Sequence, residues 1–174
     1  SSNYSITQPS GFTANITAAP LTISGISISN KTYDGLTSAT ISGTPTYSGL
    51  QNGETFSVTG TPTASFANAN VGTSKSVNVS GYTAPSSNYS ITQPTGLTAN
   101  ITAAPLTISG ISINNKSYDG LTGATITGTP TYSGLQNSET FSVTGTPTAS
   151  FEDANVGDTK SETISGYTAP SSNY

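Results

Sequence analysis

The chain repeats itself every 85 residues without a gap: Ser1-Ser2-Asn3-Tyr4 returns as Ser86-Ser87-Asn88-Tyr89 and again as Ser171-Ser172-Asn173-Tyr174. Residues 1–85 and 86–170 differ at 14 positions, leaving 71 of 85 identical, far more than fold maintenance demands. Recent duplication within an array accounts for that. A period of this length exceeds one solenoid turn and matches a self-contained bead, so beads on a string are expected, each folding nearly on its own.

Inside a bead the apolar residues alternate, as in Leu21 and Ile23, Ile26 and Ile28, Phe56 and Val58, Val77 and Val79, and Leu97, Ala99 and Ile101. A period of two marks half-buried strands. Gly-containing pairs such as Asp34-Gly35, Ser48-Gly49, Asn52-Gly53, Val71-Gly72 and Ser80-Gly81 cut the chain into short segments, giving about seven strands per bead. Helix is all but absent, the best candidate being a turn or two over Ala64 to Asn70. Asn52-Gly53 reads as a type I′ hairpin turn between Tyr47–Leu50 and Thr55–Val58; the second copy has Asn137-Ser138 there. The expected fold is all-β, a tandem of immunoglobulin-like β-sandwich repeats of 85 residues, with β-grasp-like modules as the alternative.

Composition narrows the chemistry. His, Cys, Met, Trp and Arg are all missing, which removes the commonest general base, the thiol nucleophile, soft metal ligands and the guanidinium clamp. An enzyme is not expected. Four Lys against eight acidic residues give a net charge of −4, so there is no basic footprint for nucleic acid. No apolar run is long enough for a membrane span, and no membrane insertion is expected of this segment. Ser and Thr make up about a third of the residues and charged residues 7%, a surface built of hydroxyls unlike that of a cytosolic enzyme.

Lys31-Thr32-Tyr33-Asp34-Gly35-Leu36-Thr37 and its copy Lys116-Ser117-Tyr118-Asp119-Gly120-Leu121-Thr122 each join a Tyr, an Asx-turn former and a Gly. The Asp can accept backbone N–H bonds, the Gly can take the left-handed region, and the Tyr ring can cover one end of the core. Further on come Ser48-Gly49-Leu50, Ala69-Asn70-Val71-Gly72-Thr73, Asn88-Tyr89-Ser90-Ile91-Thr92-Gln93-Pro94 and Ile101-Thr102-Ala103-Ala104-Pro105-Leu106-Thr107. In order and spacing, over essentially the whole chain, these resemble the YDG-type tandem repeat of large bacterial surface and secreted adhesin-like proteins. The resemblance implies an extracellular stalk or filament module, on a cell surface or in a secreted matrix such as a biofilm, with no catalytic residues to transfer. It also implies a phase: residues 1–20 as the trailing strand of a preceding repeat, 21–105 as a complete repeat, and 106–174 as a repeat without its final strand. An open sheet edge and an apolar groove are then expected in the last unit, which residues 1 to 17 of another copy could fill head to tail. The Ala-Ala-Pro-Leu-Thr junction is short and stiffened by Pro, so a semi-rigid rod is expected.

The expected partners are therefore neighbouring repeats or copies of the chain itself. An adhesive module is the alternative, holding surface glycan or a receptor through exposed Tyr33, Tyr47 or Tyr82. Of the second copy's four extra acids, Glu152, Asp153, Asp158 and Glu162, the first three could offer hard oxygen ligands to Ca²⁺, yet the first copy has Ala67, Asn68 and Thr73 there. A solvated acidic loop and no cofactor are expected. The Tyr33-Asp34-Gly35 and Tyr118-Asp119-Gly120 triplets are expected to be structural, and the four lysines, which beside Asn could form crosslinks, to be solubilising.

Overall fold

The computed structural model describes residues 3–174, which form an all-β chain of two successive modules. In the first, eight strands run β1 (Ala19–Ile28), β2 (Lys31–Thr32), β3 (Ser38–Ala39), β4 (Ile41–Ser48), β5 (Thr59–Phe66), β6 (Gly72–Thr83), β7 (Tyr89–Thr92) and β8 (Thr98–Thr102). One sheet has the order β4-β1-β7 and the other β2-β8-β6-β5-β3. Inward residues of both, among them Leu21 and Ile23 from β1, Tyr47 from β4, Phe66 from β5, Val77 and Val79 from β6 and Ile101 from β8, close a sandwich core. Leu21, Val79 and Ile101 are fully buried, each contributing on the order of 1.5–3 kcal/mol. Tyr47 spans the layers, its hydroxyl donating to Thr83 O at 2.5 Å and accepting from Thr59 N at 3.1 Å.

Residues 89–102 stitch the two sheets together. β7 lies parallel to β1, with Ala19 opposite Tyr89 and Leu21 opposite Ile91, while β8 pairs antiparallel with β6 and parallel with β2. The second module consists of β9 (Thr107–Ile113), β10 (Gly123–Ala124), β11 (Ile126–Ser133), β12 (Thr144–Phe151) and β13 (Glu162–Thr168). Residues 106–174 include no counterpart of β7 and β8, and their strands are shorter than those of the first module only where these two would pair. β9 has 7 residues against 10 in β1, β13 has 7 against 12 in β6, and no strand matches β2. Equivalents that touch neither, β10, β11 and β12, keep the lengths of β3, β4 and β5. An unpaired strand edge leaves backbone donors without partners, so those segments do not persist as strand.

Two local expectations need correcting. Asn52 and Gly53 do adopt positive φ (50° and 71°), with Glu54 N bonded to Gln51 O at 2.9 Å, as a type I′ turn requires. They do not make a hairpin, because β4 and β5 belong to opposite sheets and the turn is a crossover between layers. Ala64 to Asn70 holds no helical turn: Ala64–Phe66 ends β5, and the rest is loop. The register break between Ser24 and Ile26 is a bulge at Gly25 (φ 78°), where a Cβ would lie 2.4 Å from Thr44 O.

The repeat supplies an internal control for core packing. Ile101→Ala should cost about 2–5 kcal/mol and lower the first module's melting temperature by roughly 10 °C or more. Ile16→Ala, the same change at the fully exposed equivalent in the first copy, should leave the calorimetric transition where it was.

Candidate functional site at the joint between modules

The Tyr33-Asp34-Gly35 turn is built for presentation. Lys31 Nζ reaches Asp34 Oδ1 at 2.6 Å and donates to the carbonyls of Leu36 and Ser38 at 3.0 and 3.1 Å, while Asp34 Oδ1 also accepts Leu36 N at 2.9 Å. Asp34 is held below its ordinary carboxylate value; burial opposes that, and the Lys31 and Leu36 bonds outweigh it. Tyr33 N donates to Thr102 O at 2.8 Å, fixing the ring at the end of β8.

From there the ring crosses into the next module. Tyr33 Oη donates to Glu139 Oε1 at 2.5 Å, and Tyr174 Oη donates to the other oxygen, Oε2, of the same carboxylate. The two rings meet edge to face, centroids 5.4 Å apart at 83°. Tyr174 Oη in turn accepts Gln136 N at 2.8 Å, and the Gln136–Glu139 turn is closed by Glu139 N to Gln136 O at 2.9 Å. That turn, with Asn137 and Ser138 at φ 47° and 60°, is the counterpart of Asn52-Gly53, so the crossover between layers is also what aims the carboxylate. Asn137 rests against Gly35: a Cβ at Gly35 would lie 2.5 Å from Asn137 Cβ, and φ there is 75°. Only glycine satisfies both demands.

Asn173 completes the joint. Its Oδ1 accepts Val71 N at 3.0 Å, its Nδ2 donates to Asn70 Oδ1 at 3.3 Å, and its backbone oxygen accepts Ala104 N at 2.9 Å. The carboxylate half of this arrangement is present in the first module too. Tyr89 Oη donates to Glu54 Oε2 and accepts Gln51 N at 3.0 Å, and Phe56 stands edge-on to Tyr89 as Phe141 does to Tyr174.

Tyr33 and Tyr118 thus separate the effect of a following module from that of the motif. Tyr118 sits in the same kind of turn, with Lys116 Nζ to Asp119 Oδ1 at 2.7 Å and Leu121 N to Asp119 Oδ1 at 3.0 Å. Yet Tyr118 is 68% exposed, whereas Tyr33, covered by the second module, is 5% exposed. Asp119 is lowered chiefly by its Lys116 bond, so the turn forms without the neighbour.

The expected platform of exposed tyrosines is not there: Tyr33, Tyr47 and Tyr82 are all buried, Tyr47 and Tyr82 within the sandwich core and Tyr33 beneath the second module. Of the three candidate ligand acids, Asp153 is engaged by Lys160 at 2.5 Å and accepts Asn155 N at 2.7 Å, and its carboxyl is held low chiefly by Lys160. Among the described residues no three acidic side chains gather as a metal set. The clip matches one in the first module, where Lys75 Nζ donates to Asn68 Oδ1 at 2.6 Å and to Asn70 O at 2.7 Å. These lysines therefore tie loops down instead of simply facing water. Sequence reasoning missed Glu139, Asn137, Asn173 and Tyr174. Their available signal was recurrence in both copies, which two near-identical repeats share with almost every other residue.

The family model of the YDG domain matches residues 17–96 and 102–174. No curated protein and no solved structure matches the chain.

Tyr33→Phe removes a donor to an ionised carboxylate and should weaken the joint by about 1.5–3 kcal/mol, read as loss of fixed inter-module orientation in residual dipolar couplings. Tyr118→Phe should change nothing in the same chain. The joint should also have a defined pH window. The Glu139 carboxyl is lowered from 4.5, first by the Tyr174 bond and then by that of Tyr33, so its contribution is complete above 4.5 and lost as pH falls through the lowered value. Tyr33 is pushed up from 10.0 to about 12, first by its bond to Glu139 and then by burial, so its contribution is complete below 10 and lost as pH rises through about 12. In a spectrophotometric titration, Tyr33→Phe should delete a late tyrosine transition.

Proposed function

Since the chain belongs to the YDG domain family, we propose that its modules are structural spacers, a segment of a stalk or filament of a bacterial extracellular, adhesin-like protein, on the cell surface or in a secreted matrix. The observation that carries this reading is the Tyr33–Glu139–Tyr174 contact, which joins one module to the next by side chains as well as by the chain itself. A spacer has to transmit position, and a short Pro-containing junction braced by a hydrogen-bonded clamp does so where a free linker would not. The hydroxyl-rich surface and the four Lys with no Arg, which leave few tryptic sites, suit prolonged exposure outside the cell. The adhesive alternative has lost the exposed tyrosines on which it stood.

Small-angle scattering from chains of two, three and four repeats tests this. Maximum dimension should rise by a constant increment per repeat while the cross-sectional radius stays fixed. A freely jointed profile would remove the spacer reading.

A further inference from the structure

Two phenols converge on one carboxylate at the joint. Tyr33 Oη donates to Glu139 Oε1 at 2.5 Å and Tyr174 Oη donates to Oε2 of the same group, while the rings meet edge to face with centroids 5.4 Å apart at 83°. Among the described residues this is the one pair of tyrosines in ring contact. The first module supplies a comparison. Glu54 holds the hydroxyl of Tyr89, but the ring beside Tyr89 is Phe56, 6.3 Å away at 72°, which has no proton to give up.

These features suit one reaction of phenols. A tyrosine loses an electron readily when its proton leaves with it, and a base already hydrogen-bonded to the hydroxyl takes that proton without rearrangement. Glu139 is such a base for both rings, kept ionised by the bonds from Tyr174 and Tyr33. The unpaired electron left behind is shared between the oxygen and the ring carbons beside the one that bears it. Two hydroxyls aimed at a single carboxylate bring those edges of the rings together, so reacting atoms are positioned before any oxidation occurs. In a coupled pair the hydroxyls flank the new bond and can go on sharing one acceptor. Crowding between them keeps such rings twisted, as these already are.

We propose that the joint is an oxidative modification site: a one-electron oxidant of the kind peroxidases make from hydrogen peroxide couples Tyr33 to Tyr174 through a carbon–carbon bond, locking one module to the next. Each phenol gives one electron to the oxidant and one proton to Glu139, which passes it to water. The two tyrosyl radicals then join at their Cε carbons. The hydrogen on each joined carbon moves as a proton to the neighbouring carbonyl oxygen and restores both phenols. In all the pair gives up two electrons and two protons, and one hydrogen peroxide is reduced to two waters. This goes beyond the spacer reading and stands on the geometry of the joint.

Light-driven oxidation by ruthenium tris-bipyridyl with persulfate, a one-electron oxidant that needs no docking site, tests this on the full chain at high dilution. A Tyr4→Phe, Tyr118→Phe background removes the two most exposed tyrosines. After denaturation and trypsin digestion, residues 32–75 and 161–174 should appear as one species, two hydrogens lighter than the sum of its parts. Fragmentation should place the bond between Tyr33 and Tyr174. Adding Tyr33→Phe should remove that species. Glu139→Gln, which offers an acceptor to only one hydroxyl and takes up no proton, should slow its formation by at least about tenfold. The coupled chain should also keep its inter-module orientation below the pH at which Glu139 titrates, where the untreated chain loosens. Coupling confined to other tyrosines, or a Tyr33–Tyr174 bond formed as fast in Glu139→Gln, overturns the proposal. Residual dipolar couplings from the untreated chain read the joint by themselves, so a loose joint and a rigid but unreactive pair of tyrosines give different results.

Discussion

Every strand in this protein has to find partners for its backbone, and the segment that settles the account is Tyr89–Thr102. It enters the β4-β1-β7 sheet as β7 and then the β2-β8-β6-β5-β3 sheet as β8, so one stretch of chain closes both layers. Within residues 106–174, which include no equivalent of it, the shortening is confined to its neighbours: β9 starts three residues later than β1 would predict, β13 lacks the first part of β6, and Lys116-Ser117 forms no strand pair among the described residues. Closure and linkage are consequently one event. The segment that completes a module runs through Ala103-Ala104-Pro105 into the first strand of the next, leaving no slack for a hinge.

The joint draws on different physics from the core. Exposed ion pairs such as Lys31 with Asp34 hold loops, where a geometry must be kept but little energy is needed. Between modules the bond is phenol to carboxylate, a charge-assisted contact that is stronger than a neutral one and needs no second ion to be desolvated. A chain with 7% charged residues has few ion pairs to spend, and a neutral donor makes the contact indifferent to pH over the range between the carboxyl and phenol transitions.

Strand content, the repeat and the turn chemistry were legible in the sequence because they are local. Alternation in Leu21 and Ile23 or Val77 and Val79 marks inward faces, and positive φ at Asn52-Gly53 follows from residue type. Which sheet a strand joins is not local, and so residue type alone marks the same turn as a hairpin although it carries the chain between layers. The tyrosines show the limit most clearly. A Tyr beside Asp-Gly is a turn residue on any reading, but whether its ring is buried depends on Glu139, 106 positions away. Tyr33 and Tyr118 have the same local sequence apart from Thr32 and Ser117, and opposite environments.

The distribution of differences between the copies fits this division between core and joint. None of the 14 falls on Tyr33, Asp34, Gly35, Glu54, Asn70, Val71, Asn88 or Tyr89 or on their equivalents, whereas a core position has gone from Val77 to Glu162. A core answers only to its own module, and a neighbouring substitution can absorb a misfit there. A joint in an array has no such freedom. Each module must offer a tyrosine forward and a carboxylate backward to neighbours of the same kind, so a change in either half spoils a contact unless its counterpart changes in every adjoining copy at once. Gly53 shows what does get through: Ser138 replaces it at a positive φ that serine can hold, and Glu139 still reaches both phenols. Side chains may vary there so long as the backbone continues to aim the acid.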